Sequence, residues 1–294
     1  MLLVHRLSAI PAANRFCDSG KKANLSAVCF FGLGSATKTQ KLTFYIADCY
    51  AGAFFNYVDK RGVSMKETLN RPHAVSEFQQ MFAHIYPEGN MRYSESDIIL
   101  RLLEEIAKIM EIARKDDLEA LPVQLAKTFS LWNGVATRLK VDLQEVLWYK
   151  YPGVCPYCLR EKNCICAVEH PHIPNKEQIL RKFRRDRQSE PKTLKGHQEL
   201  HRELYALQNR RIMVIQTAAH LAEEAGEISK EYRHKNHEEL CDEMADTGSW
   251  MFALANRCNF DLADAVWNLY PCECEKCKQT VCVCHTGVAP EQNA

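Results

Sequence analysis

Residues 220–277 read HLAEEAGEISKEYRHKNHEELCDEMADTGSWMFALANRCNFDLADAVWNLYPCECEKC. Residues 101–158 read RLLEEIAKIMEIARKDDLEALPVQLAKTFSLWNGVATRLKVDLQEVLWYKYPGVCPYC. The two align without a gap, and about a third of the positions are identical. Glu104 falls on Glu223, Glu105 on Glu224, Asp142 on Asp261, Trp148 on Trp267, Tyr151 on Tyr270, Cys155 on Cys274 and Cys158 on Cys277. The match reaches back to Tyr86/Tyr205, Asn90/Asn209 and Arg92/Arg211. The chain is therefore a tandem duplication, and its fold is the fold of one unit, used twice.

Each unit reads as helical. In the second copy Leu221, Ala225, Ile228, Leu240, Met244, Met251 and Leu254 recur at spacings of three and four. Asp261 sits where an N-cap belongs, as does Asp142 in the first copy, and Tyr-Pro ends the helix in both. Three to four helices per copy with short loops predict an all-α pair of antiparallel bundles. The reading divides the chain into a region 1–80 outside the repeat and of uncertain class, a first copy at 81–174, a basic linker or helix at 175–204, and a second copy at 205–294. The GLGS turn at 32–35 lacks the lysine of a phosphate loop.

The acids of the second copy stand out. Glu224 and Glu227 share one helix face, and after 15 residues Glu243 and Asp246 form a second pair with the same spacing. A single ExxE is more often a solvated face. Two such pairs among apolar neighbours aim four carboxylates at one point, where they repel and lose hydration. Hard oxygen ligands in that arrangement suit Mg²⁺ or Mn²⁺. The first copy is an internal control: its matching positions hold Glu105, Lys108, Gln124 and Lys127, so the packing signals persist while the acids are gone.

EEAGE (223–227), DEMAD (242–246) and LANRCNFDLADAV (254–266) together resemble the MazG-like all-α nucleoside triphosphate pyrophosphohydrolases. The similarity covers residues 205–270 well and 86–152 as a degenerate copy; it does not reach 1–80, and the cysteine clusters are an addition to it. The resemblance implies that Glu224, Glu227, Glu243 and Asp246 are Mg²⁺ ligands, with Glu223 positioning water or standing just behind them. It implies metal-activated water attacking the α-phosphorus of a nucleoside triphosphate, giving the monophosphate and pyrophosphate. Lys230, Arg233 and Asn256 are candidate substrate contacts, while Trp250 is expected in the core. Family members work as dimers or tetramers, so the tandem copies are expected to form an internal pseudo-dimer, with homo-oligomers as a further expectation. Lys108 or Lys127 would then approach the shared cleft.

Nine of the 14 cysteines lie in two tight clusters at equivalent ends of the copies. Cys155, Cys158, Cys164 and Cys166 form the first; Cys274, Cys277, Cys282 and Cys284 form the second, with Cys272 and His285 nearby. CxxC, a short loop and CxC supply four soft ligands for a structural Zn²⁺ knuckle, with an iron–sulfur cluster and a disulfide framework as the alternatives.

The formal net charge of +1 points to no particular partner. The longest apolar run, residues 42–55, is too short to span a bilayer and contains Asp48, so a cytoplasmic protein without membrane contact is expected. The runner-up to an enzyme is a non-catalytic regulatory protein that binds nucleotide or nucleic acid through the basic run at 181–187 and the knuckles. A di-iron carboxylate bundle needs paired ExxH motifs, and only Glu231 with His234 fits.

Overall fold

The computed structural model describes residues 70–87, 92–169 and 171–284, which belong to one compact unit beginning at Ser64. The region 1–69, His285 and the GLGS turn lie outside the described residues. All regular structure among the described residues is helical. The first copy supplies α1 (Val75–Ile85), α2 (Glu95–Lys115), α3 (Leu121–Leu139) and α4 (Leu143–Lys150). A connecting α5 (Lys176–Arg185) follows. The second copy supplies α6 (Leu194–Leu204), α7 (Ala206–Arg211), α8 (Val214–His234), α9 (His237–Arg257) and α10 (Leu262–Leu269).

The helix ends follow from local chemistry. Asp142 accepts a hydrogen bond from the Glu145 amide and Asp261 from the Asp264 amide, so both expected N-caps form. Tyr151 and Tyr270 cap the C-termini of α4 and α10. Left-handed residues recur at equivalent places: Asp116 and Lys235, Lys140 and Asn259, Gly153 and Cys272, Leu159 and Lys278. Non-glycine residues enter this region rarely, and seven of these eight are not glycine, so the copies share a backbone path, not only a pattern.

The repeat begins earlier than identities alone indicate. Helix α1 crosses the boundary placed at residue 80, and α6, assigned to the linker, is its counterpart in the second copy. Each packs against its own copy: α1 on α3 and α4, α6 on α9 and α10. Between α1 and α6 the one shared identity is Gln79/Gln198. Gln79 donates to the Val141 carbonyl and accepts from the Leu143 amide; Gln198 does the same with Phe260 and Leu262.

The copies pack reciprocally around one core. The α2/α3 pair meets the α8/α9 pair, α4 lies on α9, and α10 lies on α3. Trp132, Phe129 and Phe252 are fully buried there, and the Trp132 indole donates to the Met244 carbonyl across the copies at 3.0 Å. Gly248 makes that approach feasible, since a Cβ there would lie 3.0 Å from Trp132 and 3.1 Å from Leu147. The cysteine segments are exchanged as well. The Cys164 amide donates to Leu204 at the end of α6, and the Cys282 amide donates to Ile85 at the end of α1. Each segment thus hangs on the other copy's first helix, an isologous pairing within one chain. Among the described residues no helix is long and apolar enough to cross a membrane.

Candidate functional site

Three side-chain clusters among the described residues could hold a metal ion: the two sets of four cysteines, and Glu224 with Glu243 and Asp246. The acid cluster lies where α8 and α9 pack together. Glu224 comes from α8, Glu243 and Asp246 from α9, and carboxylate oxygens of all three lie within 4.8 Å of one another. Glu227, one turn beyond Glu224, is not part of this mutually close set, but its charge acts on Glu243 and Glu224.

The cluster carries more negative charge than its surroundings neutralise. Burial, then the charges of Glu227, Asp246 and Glu224, push Glu243 up to about 8. Burial and the nearby Asp246 push Glu224 above its usual range. Burial raises Asp246 as well, against the opposing pull of Lys150 and Tyr151.

Those two residues come from the other copy, and the expectation about cations is corrected here. Lys150, the last residue of α4, lies 2.7 Å from Asp242 and 3.4 Å from Asp246, with only 14 % of its side chain exposed. Burial opposes its charge, but Asp246 and Asp242 outweigh this and hold its pKa above the usual lysine range. The Tyr151 hydroxyl donates to Asp246 at 2.5 Å. Trp250, expected in the core, is half-buried and donates its indole N–H to Glu224 at 3.0 Å. Lys108 and Lys127 go elsewhere, to Glu105 at 2.5 Å and Glu275 at 3.4 Å.

Other expected site residues are not brought to the cluster. Glu223 is exposed and faces His220 at 3.2 Å; that imidazole stacks on Trp250, its centroid 4.5 Å away. Lys230 pairs with Glu231 at 2.8 Å, and Arg233 donates to the Ser229 carbonyl. Asn256 exchanges hydrogen bonds with Gln198 and so ties α9 to α6. Three arginines of the basic run are engaged by acids: Arg181 and Arg184 meet Glu177, and Arg187 meets Glu145 and Glu190.

The matching place in the first copy is neutralised from within. Lys108 and the Gln124 amide, at 2.6 Å, both address Glu105. Burial pushes Glu105 up, but these partners outweigh it, and its pKa lies below the ordinary glutamate range. Lysine and amide occupy the roles of second and third acids, so this place needs no added cation.

The cysteine clusters fit a tetrahedral ion. A Zn–S bond of about 2.3 Å sets sulfurs about 3.8 Å apart in a tetrahedron. Cys155 lies 3.4 Å from Cys164 and 3.8 Å from Cys166, Cys158 lies 3.7 Å from Cys164, and Cys274 lies 3.8 Å from Cys284. All are far beyond the S–S bond length of about 2.05 Å, and every cysteine among the described residues is a free thiol. Burial raises Cys158, but the Arg160 and Ile165 amides bring it down to about 7. Cys277 is likewise held at about 7, by the Val283 and Gln279 amides against burial. Such N–H···S contacts orient and stabilise thiolates for a cation. The two tetracysteine sets could therefore each hold zinc.

No protein-family profile, curated protein or solved structure matches the chain.

Proposed function

We propose that the protein hydrolyses a nucleoside triphosphate, NTP or dNTP, to the monophosphate and pyrophosphate, at a Mg²⁺- or Mn²⁺-dependent site on α8 and α9. The observation that carries this reading is the convergence of Glu224, Glu243 and Asp246 within 4.8 Å, with Glu227 adjoining. Three carboxylates so close repel unless a cation joins them, and their hard oxygens favour Mg²⁺ or Mn²⁺ over softer ions.

Glu224, Glu243 and Asp246, with Glu227 at the edge, would hold the ion. When bound, a divalent ion there supplies charge neutralisation for a triphosphate and acidifies an attacking water. The chain's own residues prepare the place. Trp250 fixes one oxygen of Glu224 and Tyr151 one oxygen of Asp246. Lys150 adds a partly buried cation beside the carboxylates, where a phosphate would also be drawn. Structural zinc at the two knuckles accompanies this reading, and the reciprocal packing makes the chain its own pseudo-dimer.

The test is pyrophosphate release from a panel of NTPs and dNTPs with Mg²⁺. Release is expected from at least one nucleotide, and Glu224→Gln and Asp246→Asn should each reduce it to background. No release from any nucleotide, or release untouched by both substitutions, overturns the reading. Tight, salt-sensitive nucleic-acid binding without turnover would instead favour the regulatory alternative.

A further inference from the structure

We infer that the first tetracysteine knuckle is a positioning device for the acid cluster, acting through Lys150, Tyr151 and Tyr205. Tyr151 precedes Cys155 by four positions, so the arm reaching Asp246 runs directly into the knuckle. Val154 and Cys155 are fully buried and anchor that short connection. On its far side the knuckle is pinned to α6: Asn163 and Cys164 donate their amides to the Glu203 and Leu204 carbonyls at 3.0 and 2.6 Å.

Tyr205 closes the connection from below. It packs against the buried cluster of Cys155, Cys158, Cys164 and Leu204, and its ring meets Tyr151 edge-on at 6.2 Å. His201, one turn earlier on α6, meets the Tyr151 ring at 4.7 Å. Tyr151 is therefore held among the knuckle, α6 and the acids, and its hydroxyl donates to Asp246, with the Ser249 side chain beside it.

The second knuckle provides the contrast. It has the same backbone and the same hold on a first helix. But Leu269 stands at the position of Lys150, and Glu275 in that knuckle meets Lys127. It borders the neutralised place, so its loss should leave the acid cluster standing. Second contacts that orient a metal ligand typically change metal affinity by about 10- to 100-fold, and Tyr151 and Lys150 are such contacts for Asp246.

The consequence for turnover rests on the pyrophosphohydrolase reading, whereas the positional coupling does not. Two readouts on the full chain keep them apart: amide exchange over residues 242–250, and Mn²⁺ binding followed by paramagnetic resonance. Cys155→Ser with Cys158→Ser should speed exchange across 242–250 and weaken Mn²⁺ binding by about 10-fold or more. Cys274→Ser with Cys277→Ser should leave both near wild type. Equal effects from the two double variants, or no effect from the first, overturn the coupling. Should the first double variant fail to fold, Tyr151→Phe decides. It should keep its zinc yet lose Mn²⁺ affinity and protection at 242–250, and unchanged values overturn the inference. A wild-type chain that binds no Mn²⁺ sinks the pyrophosphohydrolase reading, and exchange alone then decides: selective loosening upholds the coupling, and uniform or absent loosening overturns it.

Discussion

Replacing Glu243 by glutamine should make the magnesium-free protein more stable and remove what magnesium adds. Glutamine keeps the shape and a hydrogen-bonding end but deletes the charge that meets Glu224, Glu227 and Asp246. The pKa of Glu243 rises from 4.5 to about 8 on folding. A fully shielded carboxylate with that rise would weaken the fold by about 5 kcal/mol once ionised. Glu243 is only partly buried, and solvent screening reduces this to about 2 kcal/mol. The sign follows from the direction. A carboxyl raised on folding lends stability while its proton is on, fully below its unfolded value of 4.5, and loses it as pH climbs through about 8. At pH 8 and above, Glu243→Gln should therefore melt higher, by roughly 5 °C for a unit of this size. The wild type should regain about 3 kcal/mol when Mg²⁺ is supplied at about 100 times its dissociation constant; the variant should gain far less. Scanning calorimetry from pH 5 to 9, with Mg²⁺ removed by dialysis so that no chelator strips the thiolates, measures both. A variant that melts lower than wild type at pH 8, or one equally stabilised by Mg²⁺, would refute the reasoning.

Two further outcomes test the frame around the site. Gly248→Ala should destabilise the chain by about 1–3 kcal/mol, because the added methyl meets the Trp132 ring and Leu147 at the junction of the copies; denaturant unfolding measures it. Metal analysis should find two zinc ions per chain, with Cys155, Cys158, Cys164, Cys166, Cys274, Cys277, Cys282 and Cys284 shielded from alkylation until a strong chelator is added, while the exposure of Cys241 and Cys258 to reagent stays as before.

What was legible in the sequence was the part set by short-range rules. The N-caps at Asp142 and Asp261, the Tyr-Pro ends and the CxxC pairs depend on neighbours in the chain, and each formed. The acid pairs were legible as two faces because their spacing is helical. That α1 and α6 open the repeat was not, since burial accepts Phe78 and Phe82 in one copy and His197 and His201 in the other. Burial holds those histidines far below their ordinary pKa, His197 at about 3 against the opposing pull of Glu190 and His201 at about 4, so they serve as aromatic filling in place of phenylalanine. Only Gln79/Gln198 has to keep its identity there, because its amide closes two backbone bonds. Lys150 was hidden for another reason. It reaches the acids from the other copy, 92 and 96 positions away from Asp242 and Asp246, and no local pattern encodes that distance.

The charge pattern across the two copies explains why a half without acids has a use. In the acid copy Asp246 meets Lys150 from its sister; at the equivalent position Lys127 meets Glu275 from its sister. A crossing ion pair is made at both places with the charges reversed, although the second partner comes from a different position, Glu275 lying six residues beyond the Leu269 that aligns with Lys150. Two identical subunits could not do this, since every substitution would appear on both sides of the interface. In a single chain, one copy can lose its repulsive acids, with Lys108 and Gln124 settling Glu105, while the other keeps them. The strain of clustered carboxylates is then confined to one site. The copy without acids contributes what that site lacks, a partly buried lysine and a tyrosine hydroxyl fixed by a knuckle of its own. The prediction that separates this view from simple redundancy is directional: Lys150→Met should weaken Mn²⁺ binding and loosen the segment around Asp246, whereas Lys127→Met should spare both, and equal effects would show that the two crossings are interchangeable supports.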